Sequence, residues 1–323
     1  MRVVEPEGID DLTEYEIEDR RVLERRYRTY SISALRAALP IDEVFVAHAQ
    51  FMRAVNAVSR VYELARETSM PQGMYLEGPV GTGKSSVLRY FKASLPKQTL
   101  FDDERRVITI RAKKNASAAQ LVGAVLRCYG YPIRRVANDT LAPRVDVTKE
   151  AIRQKGTRLI GIDEASNLLH SPTRRLASAK GDGTSATDYI CEVIDDTCIG
   201  VVLLGSERLA SLEQTDPALA SRLTTHERLE NFFYDDEWVN FARAFLGQCT
   251  GFDLSFFLSG AGLKTLHRVV EGNVRTFKRF ATECCLCTAN EGAGVLLESH
   301  AAKAFRAVFG GASEHQCPYA HAS

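Results

Sequence analysis

The stretch GPVGTGKS, residues 78–85, fits the pattern G-x-x-x-x-G-K-[S/T]. It lies between the apolar run at 74–77, which predicts a strand, and the segment SSVLRYFKASL, which predicts a helix. Glycines at such a turn let backbone N–H groups surround phosphate oxygens, and the helix N-terminus adds a favourable dipole. A glycine-rich turn that matches by chance is the alternative, and the flanking strand and helix argue against it.

This loop predicts a binding site for the phosphates of ATP. In the pattern, the lysine reaches the β- and γ-phosphates and the serine places its hydroxyl on Mg²⁺. Those roles fall to Lys84 and Ser85. The predicted nucleotide-binding residues of the loop are Gly78, Pro79, Val80, Gly81, Thr82, Gly83, Lys84, Ser85 and Ser86.

A second motif, RLIGIDE at 158–164, is an apolar run that ends in two carboxylates. Mg²⁺ prefers hard oxygen ligands, so Asp163 is the predicted metal ligand beside Ser85. Glu164 is predicted to polarise the attacking water, a role that needs a carboxylate within hydrogen-bond reach. Taken alone, an Asp-Glu pair could equally cap a helix. Its combination with the upstream loop favours the metal site.

Short apolar runs alternate with helical segments, a pattern typical of an α/β domain with a parallel sheet flanked by helices. Ligands of open parallel sheets gather beyond the carboxyl ends of the strands, so we expect the motifs to meet at one edge. Ser206 would then orient water or contact the γ-phosphate if its strand neighbours the acids; a strand-ending turn is the alternative. The predicted strands are 74–77, 107–110, 158–162 and 199–204.

After about residue 229 only helical patterns remain, which predicts a small all-helical lid domain. Arg222, just before this region, and Arg275, within it, could each supply positive charge to the γ-phosphate, although unpaired surface arginines are the alternative. The expected domains are an N-terminal helical extension at 1–60, an α/β nucleotide-binding domain at 61–230, the lid at 231–310 and a flexible tail at 311–323.

Charge and hydropathy narrow the classes of function. Lys plus Arg and Asp plus Glu number 41 each, so no net field draws the whole molecule onto nucleic acid or acidic membrane. Any DNA contact must therefore be local. No run of 18 apolar residues is present and the acidic start does not resemble a signal peptide, so we expect a cytoplasmic protein without membrane contact. The eight cysteines have no framework spacing, which indicates reduced core thiols, including Cys284, Cys285 and Cys287.

Taken together, these motifs resemble those of AAA+ ATPases. The resemblance covers about 60–310 and implies Walker A at 78–85, Walker B at 159–164, sensor 1 at Ser206, an arginine finger at Arg222 and sensor 2 at Arg275. It also implies hydrolysis of ATP to ADP and phosphate. A finger that acts on the neighbouring subunit implies a ring or filament of copies.

Three flanking stretches resemble the TniB and TnsC family of ATPase regulators of transposition. The first is the helix before the loop together with the preceding segment IDEVFVAHAQ. The second is the run ITIRAKKNASAAQLVGAVLRCYGYP, and the third is RLENFFYDDEWVNFARAFL, at the start of the lid domain. The resemblance implies ATP-bound subunits that assemble around duplex DNA and recruit a transposase. It further implies a TniQ-like target-selection partner, as in transposons guided by CRISPR complexes.

DNA would be held through its phosphate backbone, without sequence reading. Two basic groups are candidates, one after the second predicted strand and one in the Gly- and Ser-rich stretch at 171–187, and solvated surface charge is the alternative for both. The candidates are Arg111, Lys113, Lys114, Arg174, Arg175 and Lys180.

Two other functions stay open at this point. A loader or remodeller of the origin-recognition or secretion type would use the same ATP site, and only the flanking stretches separate it from a transposition regulator. A nucleotide-gated protein scaffold without DNA binding is the third, and Glu164 and Arg222 argue against it because a scaffold needs no hydrolysis.

Overall fold

Five parallel strands form one sheet in the computed structural model, which describes residues 29–96, 104–131, 141–169, 185–310 and 317–319. The strands are β1 (Gln72–Glu77), β2 (Val107–Arg111), β3 (Leu159–Asp163), β4 (Gly200–Leu204) and β5 (Thr225–Arg228). Their order across the sheet is β2-β3-β4-β1-β5. The predicted α/β fold with a parallel sheet is confirmed, and the four predicted strands lie within two residues of their observed bounds.

Thirteen α-helices occur within the described ranges. In chain order they are α1 (Ile32–Glu43), α2 (Ala49–Leu64), α3 (Lys84–Ser94), α4 (Ala118–Cys128), α5 (Leu141–Gln154), α6 (Ala186–Thr197), α7 (Leu212–Thr215), α8 (Pro217–Ala220), α9 (Asp236–Gly247), α10 (Ser255–Leu258), α11 (Gly260–Val270), α12 (Val274–Asn290) and α13 (Glu298–Phe309). Two 3₁₀ helices, Ala165–Leu168 and Glu207–Ser211, follow β3 and β4 directly.

The order of the strands places the chemistry at one edge. β4 pairs with β1 on one side and with β3 on the other, and all three run parallel. Their carboxyl ends therefore lie side by side, which brings together the loop after β1, the acids after β3 and the serine after β4. The pairing of β3 with β4 meets the condition on which Ser206 was expected beside the acids.

β5 was not predicted. Its sequence is Thr-His-Glu-Arg, without an apolar residue, and its side chains alternate between half-buried and exposed. It pairs only with β1, at the edge of the sheet. Charged side chains are common on edge strands because they discourage pairing with other chains, so hydrophobic patterning does not reveal such a strand.

Apolar side chains cover both faces of the sheet. On one face, α2 and α3 pack against Met74, Leu76 and Leu204. On the other face, α4, α5 and α6 pack against a cluster that includes Ile110 and Ile162. The buried side of α2 carries Phe51, Val55, Val58 and Val61, which recur at helical spacing.

The remaining helices form a second compact unit, which contains the described residues after 231 together with residues 29–46. Its core is aromatic, with Trp238, Phe277 and Phe280 fully buried. Ala38 and Ile41 of α1 belong to the same core. The structure therefore divides the N-terminal part differently from the expected extension at 1–60, because α1 packs with the helical unit whereas α2 packs on the sheet.

All eight cysteines carry free thiols, and the three in α12 are buried in the aromatic core. Burial raises the pKa of Cys249 and of Cys287 to about 11, and that of Cys285 still further. No helix within the described ranges is long and apolar enough to cross a membrane.

These thiols should resist alkylation in the native protein. Because a pKa of about 11 leaves roughly a hundredth of the usual thiolate at pH 8, Cys249 and Cys287 should react about 100-fold more slowly than a thiol in a short peptide. The half-buried Cys198 should be labelled before them. Iodoacetamide labelling followed by mass spectrometry measures each site, with unfolded protein as the control. Fast native labelling of Cys285 would contradict the packing of α12.

Candidate nucleotide-binding site

The loop after β1 has the backbone conformation that its glycines predicted. Gly78 and Gly83 have φ angles of 146° and 98°, which favour glycine. A Cβ on Gly78 would lie 1.9 Å from the carbonyl oxygen of Leu229, so only glycine fits there. α3 begins at Lys84, immediately after the loop, so the N–H groups at the N-terminus of this helix lie next to the loop.

Polar contacts within the loop hold its shape. Lys84 Nζ donates to the carbonyl oxygens of Gly78, at 2.7 Å, and Pro79, at 2.5 Å. Thr82 Oγ1 donates to the same Pro79 oxygen at 3.0 Å, and its side chain is buried. The lysine ammonium thus lies across the loop, beside the backbone that would surround a phosphate chain.

The two motifs meet through one hydrogen bond. Ser85 Oγ, in the first turn of α3, donates to Asp163 Oδ2 at the end of β3, over 2.7 Å. The other carboxylate oxygen, Asp163 Oδ1, accepts from the backbone N–H of Glu164 at 2.8 Å. A hydroxyl and a carboxylate in contact are the hard oxygen donors that Mg²⁺ prefers, so the residues fit a magnesium ion bound with ATP.

Glu164 has a left-handed backbone with φ of 57°, which is unusual for a residue with a side chain. Such strain, of the order of 1–3 kcal/mol, is typical of functional positions. Its carboxylate is half exposed, and Arg111 Nη2 lies 3.3 Å from Glu164 Oε1. Arg111 ends β2 in register with Asp163. A side chain predicted to contact DNA therefore contacts the carboxylate predicted to act as general base, a pairing that sequence reasoning missed.

At this edge Ser206 is hydrogen-bonded to a second serine, Ser166. Its backbone N–H donates to Ser166 Oγ at 2.7 Å, and its hydroxyl lies 3.0 Å from the same oxygen. Ser166 belongs to the 3₁₀ helix that follows Glu164 and is itself buried. A Cβ on Gly205 would lie 2.3 Å from Ser166 Oγ, so the glycine before Ser206 allows this approach.

Arg222 does not join the site of its own chain. Its carbonyl oxygen lies 2.7 Å from the position of a Cβ on Gly73, near the start of β1. Gly78 is five residue steps along the extended strand from Gly73, a distance of about 16 Å. Arg222 therefore lies at the amino edge of the sheet, opposite the loop, where its guanidinium pairs with Asp195.

The other predicted residues are not brought to the loop by the described contacts. Lys113 and Lys114 are exposed in the turn after β2, on the carboxyl edge. Arg275 is exposed in the first turn of α12, in the helical unit, and its role as sensor 2 stays a prediction. Arg174, Arg175 and Lys180 lie outside the described residues.

The geometry combines a glycine-rich loop before a helix N-terminus, a serine hydroxyl in contact with a carboxylate, and a second carboxylate nearby. A family model described as "Bacterial TniB protein" matches residues 36–232, more than half of the chain, and includes all of these features. The chain belongs to the TniB family. A search of curated proteins returned no significant match.

Solved structures with the AAA+ fold resemble this TniB-family chain. The Aeropyrum pernix ORC1 protein in complex with DNA has a TM-score of 0.60 and 14% identity, over 86% of this chain and 69% of that one. The Aeropyrum pernix ORC2 protein in its ADPNP-ADP complexes gives 0.55 and 15%, over 78% and 66%. Domain III of the Thermotoga maritima replication initiation protein DnaA gives 0.52 and 15%, over 83% and 95%.

At these identities the similarity concerns the fold alone. The TniB-family chain spans about two thirds of the ORC2 chain that it matches. The neighbours show that the chain has the AAA+ fold, and Lys84, Ser85 and Asp163 lie together at the carboxyl edge of its sheet.

Glu164→Gln tests the role of the carboxylate. The amide keeps the size of the side chain but cannot accept a proton from water, so turnover of ATP should fall by at least about 100-fold while ATP binding is kept. Steady-state phosphate release and equilibrium binding of a fluorescent ATP analogue measure the two effects. Glu207→Gln, which changes a carboxylate paired with Arg228, is the control. Normal turnover in Glu164→Gln would remove Glu164 as the group that activates water.

Proposed function

We propose that this chain is an ATP-dependent, sequence-nonspecific DNA-binding AAA+ regulator of DNA transposition. It oligomerises on target DNA and recruits a transposase and a TniQ-like target-selection protein, which a CRISPR complex guides in some transposons. The observation that carries the proposal is the TniB-family match over 36–232, because that range contains the loop, both acids and Arg222.

The proposed enzymatic step is hydrolysis of ATP to ADP and phosphate. The loop and Lys84 hold the phosphates, and Ser85 with Asp163 holds Mg²⁺, which neutralises phosphate charge when it is bound. Glu164 orients the attacking water and accepts its proton. Ser206 lies beside the acids through Ser166 and is suited to orient the same water. Hydrolysis then acts as a timer that disassembles the complex.

The location of Arg222 supports a head-to-tail assembly. Gly73, beside which the Arg222 backbone lies, is about 16 Å along β1 from Gly78, and the guanidinium is bound to Asp195, so it does not approach the nucleotide site of its own chain. It can reach only a nucleotide bound by the next copy. Contacts between two different faces of identical chains produce rings or filaments, and either can enclose or follow a duplex.

Local positive charge supports DNA binding in a chain without net charge. Lys113 and Lys114 are exposed at the carboxyl edge and form no ion pair within the part of the chain that the structure describes. Arg111 is close to them in the sequence and forms an ion pair with Glu164. A DNA phosphate that attracts Arg111 would release the Glu164 carboxylate, which would connect DNA binding with hydrolysis.

An ATP-dependent loader of the origin-recognition type is the second candidate, and the AAA+ fold shared with ORC1 and DnaA favours it. The two candidates differ in what happens on bare DNA. A transposition regulator should form long or closed assemblies on any duplex, whereas a loader should need a second protein as cargo.

Assembly with Mg²⁺, a slowly hydrolysed ATP analogue and duplex DNA tests the proposal. Sedimentation and electron-microscope imaging should reveal rings or filaments only when nucleotide and DNA are both present. Random-sequence and fixed-sequence duplexes should serve equally well. Assembly with nucleotide alone, indifferent to DNA, would contradict a DNA platform and favour the protein scaffold or a secretion-type ATPase.

Lys113→Ala combined with Lys114→Ala tests the DNA site. Removing two phosphate contacts should weaken binding to every sequence and reduce the slope of log affinity against log salt by about 2. Fluorescence anisotropy over a salt series gives this slope. Lys264→Ala combined with Arg268→Ala, two exposed charges of α11, is the control with the same change in net charge. An unchanged slope in the first variant would move the DNA site elsewhere.

A further inference from the structure

Arg222 is held by an ion pair in which two nitrogen atoms face two oxygen atoms. Its Nε donates to Asp195 Oδ1 at 2.8 Å, and its Nη2 donates to Asp195 Oδ2 at 2.5 Å. Its Nη1 donates to the carbonyl oxygen of Ala218 at 2.6 Å. Such bidentate contacts fix the plane of a guanidinium as well as its distance.

The same contacts leave part of the guanidinium unused. A guanidinium has five N–H groups, and three of them donate to Asp195 and Ala218. The remaining two, one on Nη1 and one on Nη2, have no acceptor within the described part of the chain. The arginine side chain is about a quarter exposed. Two N–H groups are therefore available to an anion from outside the chain.

Asp195 lies on a helix that is itself fixed. α6 begins at a capping box, in which Ser185 and Asp188 satisfy each other's backbone N–H groups. Near its end, the buried Lys149 of α5 contacts Glu192 and Asp196, both at 2.5 Å. These contacts lie one residue from Asp195 and one turn before it, so the helix cannot rotate without breaking them. The Asp195 carboxylate is thus held in a fixed position beside the arginine.

Charge also favours this arrangement. The Arg222 guanidinium lowers the pKa of the Asp195 carboxyl below its ordinary value, because hydrogen bonding stabilises the carboxylate. The carboxylate therefore stays ionised at neutral pH and keeps two acceptor oxygens. An amide at this position would offer one acceptor and one donor, and its donor would face the guanidinium.

We propose that Asp195 is a positioning residue for Arg222, which it holds so that two free N–H groups face the γ-phosphate bound by the next copy. This inference rests on the proposed role of Arg222 as an arginine finger. In this role Asp195 acts on the reaction only through the arginine. A guanidinium oriented before assembly loses less conformational freedom when the neighbour's nucleotide arrives.

Two other roles for Asp195 predict different changes in the turnover of ATP. If Asp195 sequestered Arg222 from the neighbour, its removal would raise turnover. If Asp195 only stabilised the fold, its removal would lower the melting temperature and leave the turnover of assembled protein unchanged. The turnover of ATP by the assembled protein therefore distinguishes the three roles, because only a positioning role predicts that it falls.

A double-mutant cycle on turnover tests the proposal, with protein assembled on duplex DNA at saturating ATP. Arg222→Ala should lower kcat by about 10³-fold, the lower end for an arginine finger. Asp195→Asn should lower kcat by about 10- to 100-fold, with little change in KM. In the Arg222→Ala background, Asp195→Asn should have no further effect. Asp195→Glu, which keeps the charge, should recover most of the lost rate.

Asp146→Asn is the matched control, because it makes the same change at an exposed carboxylate of α5 that pairs with neither Arg222 nor Lys149 among the described contacts. It should keep both the melting temperature and kcat per assembled subunit. Wild-type kcat in Arg222→Ala would overturn the finger itself. A lower kcat in Arg222→Ala together with a wild-type or higher kcat in Asp195→Asn would overturn only the positioning role. A further loss from Asp195→Asn in the Arg222→Ala background would also overturn it, since Asp195 would then act by another route.

Discussion

The parallel pairing of β4 between β1 and β3 is the constraint on which the site depends. Because these strands run in one direction, each of their carboxyl ends delivers a different functional group to the same edge. The loop follows β1, Asp163 ends β3, and Ser206 follows β4. The hydrogen bond from Ser85 to Asp163 closes this edge, since it joins the first turn of α3 to the end of β3.

The same parallel arrangement assigns the opposite edge to a different task. Helix α6 runs back across the sheet and ends just before β4 begins, so Asp195 lies at the amino edge with Arg222. A subunit therefore has its predicted nucleotide-binding residues at one edge, the nucleotide face, and Arg222 with Asp195 at the other, the arginine face. Two such faces complement each other only between copies, which is why we propose that the ATPase site is completed by assembly.

Two arginines with carboxylate partners differ in how firmly they are held. Arg111 faces Glu164 through one contact of 3.3 Å, and its side chain is 76% exposed. An exposed pair of this kind contributes no more than about 1 kcal/mol, so a DNA phosphate can replace it readily. Arg222 makes three hydrogen bonds and is mostly buried. The first arginine is suited to change partners, and the second is suited to keep its orientation.

The fold, the glycine loop and Asp163 could be predicted from the sequence because each follows from a local sequence pattern. The glycine loop lies between a strand and a helix, and the apolar run before Asp163 has the length of a buried strand. The missing parts depend on tertiary structure. The contacts of Arg111 with Glu164 and of Arg222 with Asp195 join residues that are 53 and 27 positions apart. α1 packs with distant helices, and β5 has no apolar residue to mark it.

The central claim is that one copy completes the nucleotide site of the next. It is tested most directly by mixing two inactive variants, Lys84→Ala, which keeps the arginine face, and Arg222→Ala, which keeps the loop. The account predicts that each variant alone hydrolyses ATP very slowly on duplex DNA and that the mixture regains a substantial part of wild-type turnover. A mixture that assembles on DNA yet stays as inactive as its components would contradict it.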